Sequence, residues 1–383
     1  MTVSLLIFVI CYMVAAILGL ADAGLFDCPK LASIPPPKNI TELHPSHISI
    51  AIAVGDSITA AFSADSNLNE ARQLSWSIGK GSEDQLTLPW LLEQYSPKVE
   101  GQSTKAVLPN GITHLPHGDY HPKCDGLNVA ESEGSANRGS VDEQWGLIMQ
   151  NKGKYEKFDS RWKVLTYWMF ANDVCGMCNQ PANQSHAYTT WVEKTEDFLT
   201  NVTSSFKNVY VNLMSMLDLS NIHRIQQSKV YCSLLHKYIL KECGCIDKGT
   251  PAQLQMLDDN IHFMNKRLHK FAADWHVKLQ QQKRTDIAIV TQSGFEGIGK
   301  SLDWTFLSKL DCFHPSAKAH QSLGIGLWNS MLCTEDREHR CGIVFKPDMK
   351  PTCPTEKSVF YTGPDVIPGP PNEAWSGPSN VIV

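Results

Sequence analysis

The chain of 383 residues is 42% hydrophobic and 19% charged, with 34 basic against 39 acidic side chains. That composition excludes a disordered or fibrous chain, and a net charge of −5 argues against a broad electrostatic footprint for nucleic acid. Twelve cysteines are many for a cytosolic enzyme and point to an oxidising compartment.

Residues 4–20 are almost wholly apolar, and Ala21-Asp22-Ala23 supplies a small-x-small pattern, so a signal peptide over 1–23 is expected. Its basic n-region is missing, and a retained N-terminal anchor is the alternative. Cleavage would remove Cys11 and leave eleven cysteines, an odd number, so at least one is unpaired or pairs with another chain. Sequons at Asn39, Asn183 and Asn201 fit glycosylation in a secretory pathway. No second apolar run is long enough to span a bilayer, and the expected product is secreted.

Residues 24–46 form a leader rich in proline around Pro35-Pro36-Pro37, with Cys28 as a tether. The body spans 47–333. Residues 49–54 are a short apolar, β-branched run ended by Gly55-Asp56, which reads as a buried strand meeting a turn; 164–170, 209–214 and 287–291 are similar. Residues 258–282 place Ile261, Met264, Leu268, Phe271, Ala272, Trp275 and Leu279 on one helical face. Strand, helix and strand over these lengths predict crossover units on a parallel sheet. Residues 334–383 lose periodicity and read as a poorly structured Pro/Gly-rich tail stapled by Cys333, Cys341 and Cys353.

Ser57 follows the first strand, where a parallel sheet presents ligands at a helix N-terminus whose free N–H groups favour a developing anion. The bland alternative is a serine that only caps the helix. Near the other end of the body, Asp311-Cys312-Phe313-His314 spaces an acid and an imidazole so that the carboxylate can hold one ring nitrogen while the other meets a nucleophile. Asn172-Asp173 follows a second predicted strand. A single site needs both ends of the body, which implies one domain.

The blocks Gly55-Asp56-Ser57, Phe170-Ala171-Asn172-Asp173 and Asp311-Cys312-Phe313-His314, in this order, resemble the GDSL or SGNH hydrolase superfamily. Further likeness to its secreted animal phospholipase B-like branch comes from Leu74-Ser75-Trp76-Ser77-Ile78-Gly79, Thr87-Leu88-Pro89, Cys175 with Cys178, and Leu327-Trp328-Asn329. The resemblance implies an α/β fold, a three-layer α/β/α sandwich on a five-stranded parallel sheet of flavodoxin-like order. It implies Ser57 as nucleophile, His314 as general base and Asp311 as its orienting acid. It also implies an oxyanion hole from Ser57 N–H, Gly134 N–H and the Asn172 amide, with no cofactor or metal. Two departures stand out: the block before Gly134 is one residue longer than the pattern, and Phe170 stands where the family usually has Gly, a bulk that could narrow the acyl pocket or shift the turn carrying Asn172.

The implied substrates are phospholipids and lysophospholipids, reached by transient contact with a membrane or micelle, with release of fatty acid. A catalytically weak secreted binding protein and an esterase for other acyl esters are the alternatives. Cys175-Gly176-Met177-Cys178 also has the spacing of a thioredoxin-like redox pair. Structural disulfides are the favoured reading for Cys175, Cys178, Cys232, Cys243, Cys245 and Cys312. His114, His117, His121 and Cys124 have ligand-like spacing for Zn²⁺, but Pro116 and Pro122 favour a solvated loop. For Asp218, His223, His262 and His320 the spacing suggests no partner, and His320 reads as a surface or capped histidine.

Overall fold

The computed structural model describes residues 26–108, 120–292, 295–334, 345–346 and 348–363. The expected signal peptide, with Cys11, lies outside the described residues, as do His114, His117 and Cys341. No helix among the described residues is long and apolar enough to cross a membrane.

Four strands, β1 (Ile48–Gly55), β2 (Trp162–Trp168), β3 (Val209–Met214) and β4 (Ile287–Gln292), form one parallel sheet in the order β1-β2-β3-β4. Their residues are buried almost throughout, as a parallel sheet covered on both faces requires. The helices that matter here are α1 (Ser57–Ala60), α2 (Ser140–Asn151), α3 (Ala171–Asn179), α4 (Gln184–Ser205), α5 (Ser220–Gln227), α6 (Val230–Tyr238), α7 (Gly244–Lys248), α8 (Pro251–Gln281) and α9 (Ala317–Leu332).

Alternation along the strands assigns the layers. Tyr167 reaches Thr195 of α4, and Thr291 donates to the Leu268 carbonyl of α8, so those helices cover one face. Asn212 and Gln292 point the other way, where Ser330 of α9 donates to Gln292 Oε1 at 2.7 Å. The long helix starts at Pro251 rather than 258: Thr250 caps it and Pro251 takes a first-turn position whose N–H would have no partner. Each of its seven predicted core residues is buried.

The expected fifth strand is reduced to two isolated bridges on the free edge of β1, Ile50 with Glu100 and Ala53 with Asn128. Ala51 N donates to Glu100 O at 2.8 Å and Ala53 N to Leu127 O at 3.1 Å. Between them the chain leaves the edge at Gly101 and returns at Gly126, so pairing never runs long enough to count as a strand. A Cβ on Gly126, which has φ +63°, would lie 2.3 Å from the Gly101 carbonyl oxygen.

The described residues of the leader and of the tail, 26–46 and 348–363, pack onto the same body. Phe26 packs edge-on against Trp90 at 5.3 Å, and Cys28 is bonded to Cys353. Residues 348–363, expected to have little structure, lie over α9, where Trp328 Nε1 donates to Thr352 O and Tyr361 N to Met331 O, and meet the leader, where Phe360 N donates to Leu43 O. Their aperiodic sequence hides this because the side chains and backbone of other elements satisfy these groups.

Candidate active site

β1 ends at Gly55, where a Cβ would lie 2.3 Å from Thr59 Oγ1, so the turn into α1 is tight. The helix cap is Asp56, whose Oδ1 accepts from Ile58 N at 2.9 Å. Such a cap is worth about 1 kcal/mol, and it leaves the Ser57 hydroxyl uncommitted to the helix. Ser57 Oγ instead lies 2.9 Å from His314 Nε2, while His314 Nδ1 lies 2.8 Å from Asp311 Oδ2. The carboxylate only accepts, so Nδ1 carries the proton and Nε2 of the neutral ring accepts from Ser57.

Asp311 is itself fixed, because its Oδ1 accepts from the Phe313 and His314 backbone N–H groups at 2.9 and 3.1 Å. Burial pushes its carboxyl up, but the attraction of His314, their hydrogen bond and these amides together hold it below the usual range. Burial opposes protonation of His314, yet Asp311, Glu242 and Asp56 around it raise its pKa overall. Burial also pushes Asp56 up to about 7, against the Ile58 N–H and the attraction of His314. Glu242 lies with Asp311 and His314, their polar atoms all within 4.8 Å, and burial raises its pKa.

This sets the sign of a pH dependence. As a general base His314 would take a proton in its neutral form, so turnover is expected to fall as pH drops through its raised pKa, with the acid limb above the ordinary value of about 6.5. Glu242→Gln removes a neighbour that favours the imidazolium and moves this limb toward acid. A kcat profile on a soluble neutral ester checks both; one flat down to about pH 5 overturns the assignment.

The two remaining blocks meet beside Ser57. Asn172, in the first turn of α3, donates its amide to the Gly134 carbonyl at 2.9 Å. Asp173 ties the same loop, accepting from Ser135 Oγ, Ala136 N, Asn137 N and Asn137 Nδ2 at 2.7–3.1 Å. A Cβ on Gly134 would lie 3.0 Å from Gly55 O, so this loop sits directly on the turn that carries Ser57. Gly134 N–H itself donates to Glu131 O at 3.1 Å. Arg72, buried and paired with Glu70, donates to the Asn128 and Ala130 carbonyls, while Glu70 Oε1 accepts from Ser132 N and Oγ. This buried ion pair is held by enough hydrogen bonds to offset its desolvation and fixes the approach to Gly134.

An apolar groove opens at Ser57 and His314, lined by Trp168, Met216, Leu219, Ile222, Phe306 and Phe313 among others. Phe170 does not narrow it. Its ring is buried and packs edge-on against Trp191 of α4 at 5.7 Å, facing the core rather than the groove.

Disulfides join the loops of this site. Cys175 and Cys178 of α3 pair with Cys243 and Cys245, and Cys232 of α6 pairs with Cys312. The segment from α5 to α7 is thereby bonded to both the Asn172 helix and the His314 loop. Gln226 Nε2 donates to Cys312 O at 3.0 Å, and His236 Nε2 lies 2.7 Å from Asp311 O. Cys175 and Cys178 are thus in structural disulfides with other partners, and the alternative of the two as one redox pair falls away.

A model of the family described as GDSL-like lipase/acylhydrolase matches residues 52–326. The chain belongs to this family. Its curated relatives include the membrane-associated phospholipase B1 of Homo sapiens, 28% identical over 341 residues, and that of Rattus norvegicus, 28% identical over 345. Each match takes in 85% of this chain but 22% of the relative, so the chain spans about a fifth of their length. Among solved structures, an extracellular lipase from Streptomyces rimosus is similar with a TM-score of 0.34 and 13% identity, over 72% of this chain and 96% of that one.

The remaining candidate residues among those described do not line the groove. Asn39, Asn183 and Asn201 are all outside the buried core. Of the Zn²⁺ candidates, His114 and His117 lie outside the described residues, and Cys124 is the free cysteine among those described. Cys333 is disulfide-bonded. His262 Nε2 lies 2.6 Å from Asp218 Oδ1, 44 residues away, and His223 Nδ1 lies 2.8 Å from Ile246 O. His320, expected at the surface or in a cap, is fully buried, and burial, with the charge of His314, lowers its pKa to about 3, so it stays neutral. Glu242, His236, Gln226, Glu70 and Arg72 escaped the sequence reading: each acts on a loop distant in sequence, and no motif marks them.

Proposed function

We propose that this chain hydrolyses the acyl esters of phospholipids and lysophospholipids through an acyl-enzyme on Ser57. The observation that carries the reading is the unbroken chain from Ser57 Oγ through His314 to Asp311 at the mouth of an apolar groove. Ser57 Oγ attacks the ester carbonyl carbon while its proton passes to His314 Nε2. The oxyanion is held by Ser57 N–H, Asn172 Nδ2 and Gly134 N–H; the latter two exchange their present partners, the Gly134 and Glu131 carbonyls, for it. Collapse breaks the ester bond, and the leaving alcohol takes the proton from His314. Water, deprotonated by the same nitrogen, then attacks the acyl carbon; the bond to Ser57 Oγ breaks, His314 Nε2 returns the proton to Oγ, and the fatty acid is freed. These steps run on side-chain groups alone: His314 Nε2 moves the proton while its Nδ1–H stays bonded to Asp311, which stabilises the imidazolium.

The groove supports the lipid part of this reading because its apolar side chains fit an acyl chain, and the relatives named phospholipase B1 support it independently. Secretion is supported by the disulfides, which persist in oxidising compartments, and by three sequons outside the core.

Labelling with a fluorophosphonate, followed by a panel of phosphatidylcholine, lysophosphatidylcholine and short soluble esters, tests it. The expected result is a single adduct on Ser57 and fatty acid from both phospholipids. Adduct formation with turnover of soluble esters alone selects the esterase alternative. Neither adduct nor turnover selects the binding-protein alternative.

A further inference from the structure

We propose that α6 is a docking surface for phospholipid membranes carrying anionic lipid, and that it delivers the catalytic loop to that surface. The proposal rests on the lipid reading of the active site and names the part of the molecule that meets the lipid. Eight large hydrophobic side chains are exposed among the described residues, and five of them, Val230, Tyr231, Leu234, Tyr238 and Ile239, belong to α6 and the residue after it. Val230 is 78% exposed and Ile239 71%. The inner face of the helix is already satisfied, since Cys232, Leu235 and His236 are buried against the His314 loop. The side turned to solvent, where an ordinary surface helix is polar, is therefore apolar as well.

The charge pattern selects the occupant. Lys229, Lys237 and Lys241 are exposed, and no Asp or Glu occurs from 229 to 241, although the whole chain carries a net −5. Aromatic and aliphatic side chains rimmed by lysine suit the boundary between acyl chains and anionic headgroups. A second copy suits it less, because two-fold pairing through α6 would bring the lysines of both copies together.

The placement gives the surface a use. Cys232 is bonded to Cys312, two residues before His314, and Tyr231 Oη donates to Leu310 O at 3.3 Å. Leu219 and Ile222 at the preceding helix and Phe313 beside His314 line the acyl groove. A lipid leaving the membrane beside α6 thus has a short apolar path to Ser57.

The test uses the Ser57→Ala protein for binding, so that hydrolysis does not alter the vesicles. It is expected to sediment with phosphatidylcholine vesicles containing phosphatidylglycerol. Leu234→Asp with Tyr238→Asp is expected to weaken this at least about tenfold, and Lys237→Gln with Lys241→Gln to remove the dependence on phosphatidylglycerol. In the Ser57 protein, the Leu234→Asp/Tyr238→Asp pair is expected to slow hydrolysis of vesicle lipid about tenfold while a short ester in free solution is turned over within about twofold of the parent. Unchanged sedimentation overturns the proposal, and so does a parent protein that is dimeric without lipid and becomes monomeric in the Asp variant. If the parent hydrolyses no ester, the hydrolase reading fails, while the sedimentation results still decide the surface.

Discussion

Ser57→Ala is expected to lower kcat on any accepted ester by about 10⁴-fold or more, to abolish fluorophosphonate labelling, and to leave the fold intact. The size follows from the role: without Oγ no acyl-enzyme forms, and the remaining groups can only orient substrate and hold the oxyanion. The fold survives because the helix is capped by Asp56, not by Ser57, and the loss of one hydroxyl at a 9% exposed position leaves only His314 Nε2 without its partner. Asn172→Ala, assayed alongside, is expected to lose about 10²–10³-fold, the worth of one oxyanion donor. A Ser57→Ala protein that keeps more than a few per cent of parental turnover, or an Asn172→Ala protein that matches the parent, contradicts these roles.

Removal of the Cys232–Cys312 bridge by alanine at both positions is expected to cost about 2–4 kcal/mol of stability, because it frees a loop that spans 80 residues in the unfolded chain. It should also lower kcat on a soluble ester more than it raises KM. Cys312 lies between Asp311 and His314 in a left-handed conformation at φ 56°, so the bridge holds the turn on which the imidazole sits. A displacement of the ring by about 1 Å costs of order 10²-fold in rate. Gln226 and His236 still hold the loop through the Cys312 and Asp311 carbonyls, which sets the loss below that of Ser57→Ala. Thermal unfolding and steady-state kinetics on the same preparation separate the two effects. A protein that loses stability but keeps kcat would show that the bridge serves the fold alone.

The strands were readable because each is a short apolar run buried on both faces, and the long helix because seven apolar residues recur on one side. Ser57, Asn172, Asp311 and His314 were readable because each sits within a few residues of an element end in a compact motif. What escaped was held by distant partners. Arg72 looks like any surface arginine until the Asn128 and Ala130 carbonyls close over it. The interrupted edge strand reads as loop, because two pairs of backbone bonds separated by the excursion from Gly101 to Gly126 leave no periodic signal. Phe170 read as an obstruction in the acyl pocket, and only the backbone direction at the end of β2 turns its ring toward Trp191.

Short apolar runs separated by helix-length segments by themselves pointed to an α/β body, and motifs near both ends of it pointed to one domain and to the residues proposed to carry its chemistry, because strand ends and helix starts are local decisions of the backbone. Only the tertiary structure decided how the cysteines pair, since four of them in Cys-x-x-Cys and Cys-x-Cys spacing allow several connectivities and distance in space selects one. It also decided that the segment between β3 and α8 buttresses both loops of the candidate site, and that α6, stapled on one side, keeps an apolar side facing out. Those are contacts between residues tens of positions apart, which packing sets and local sequence does not encode.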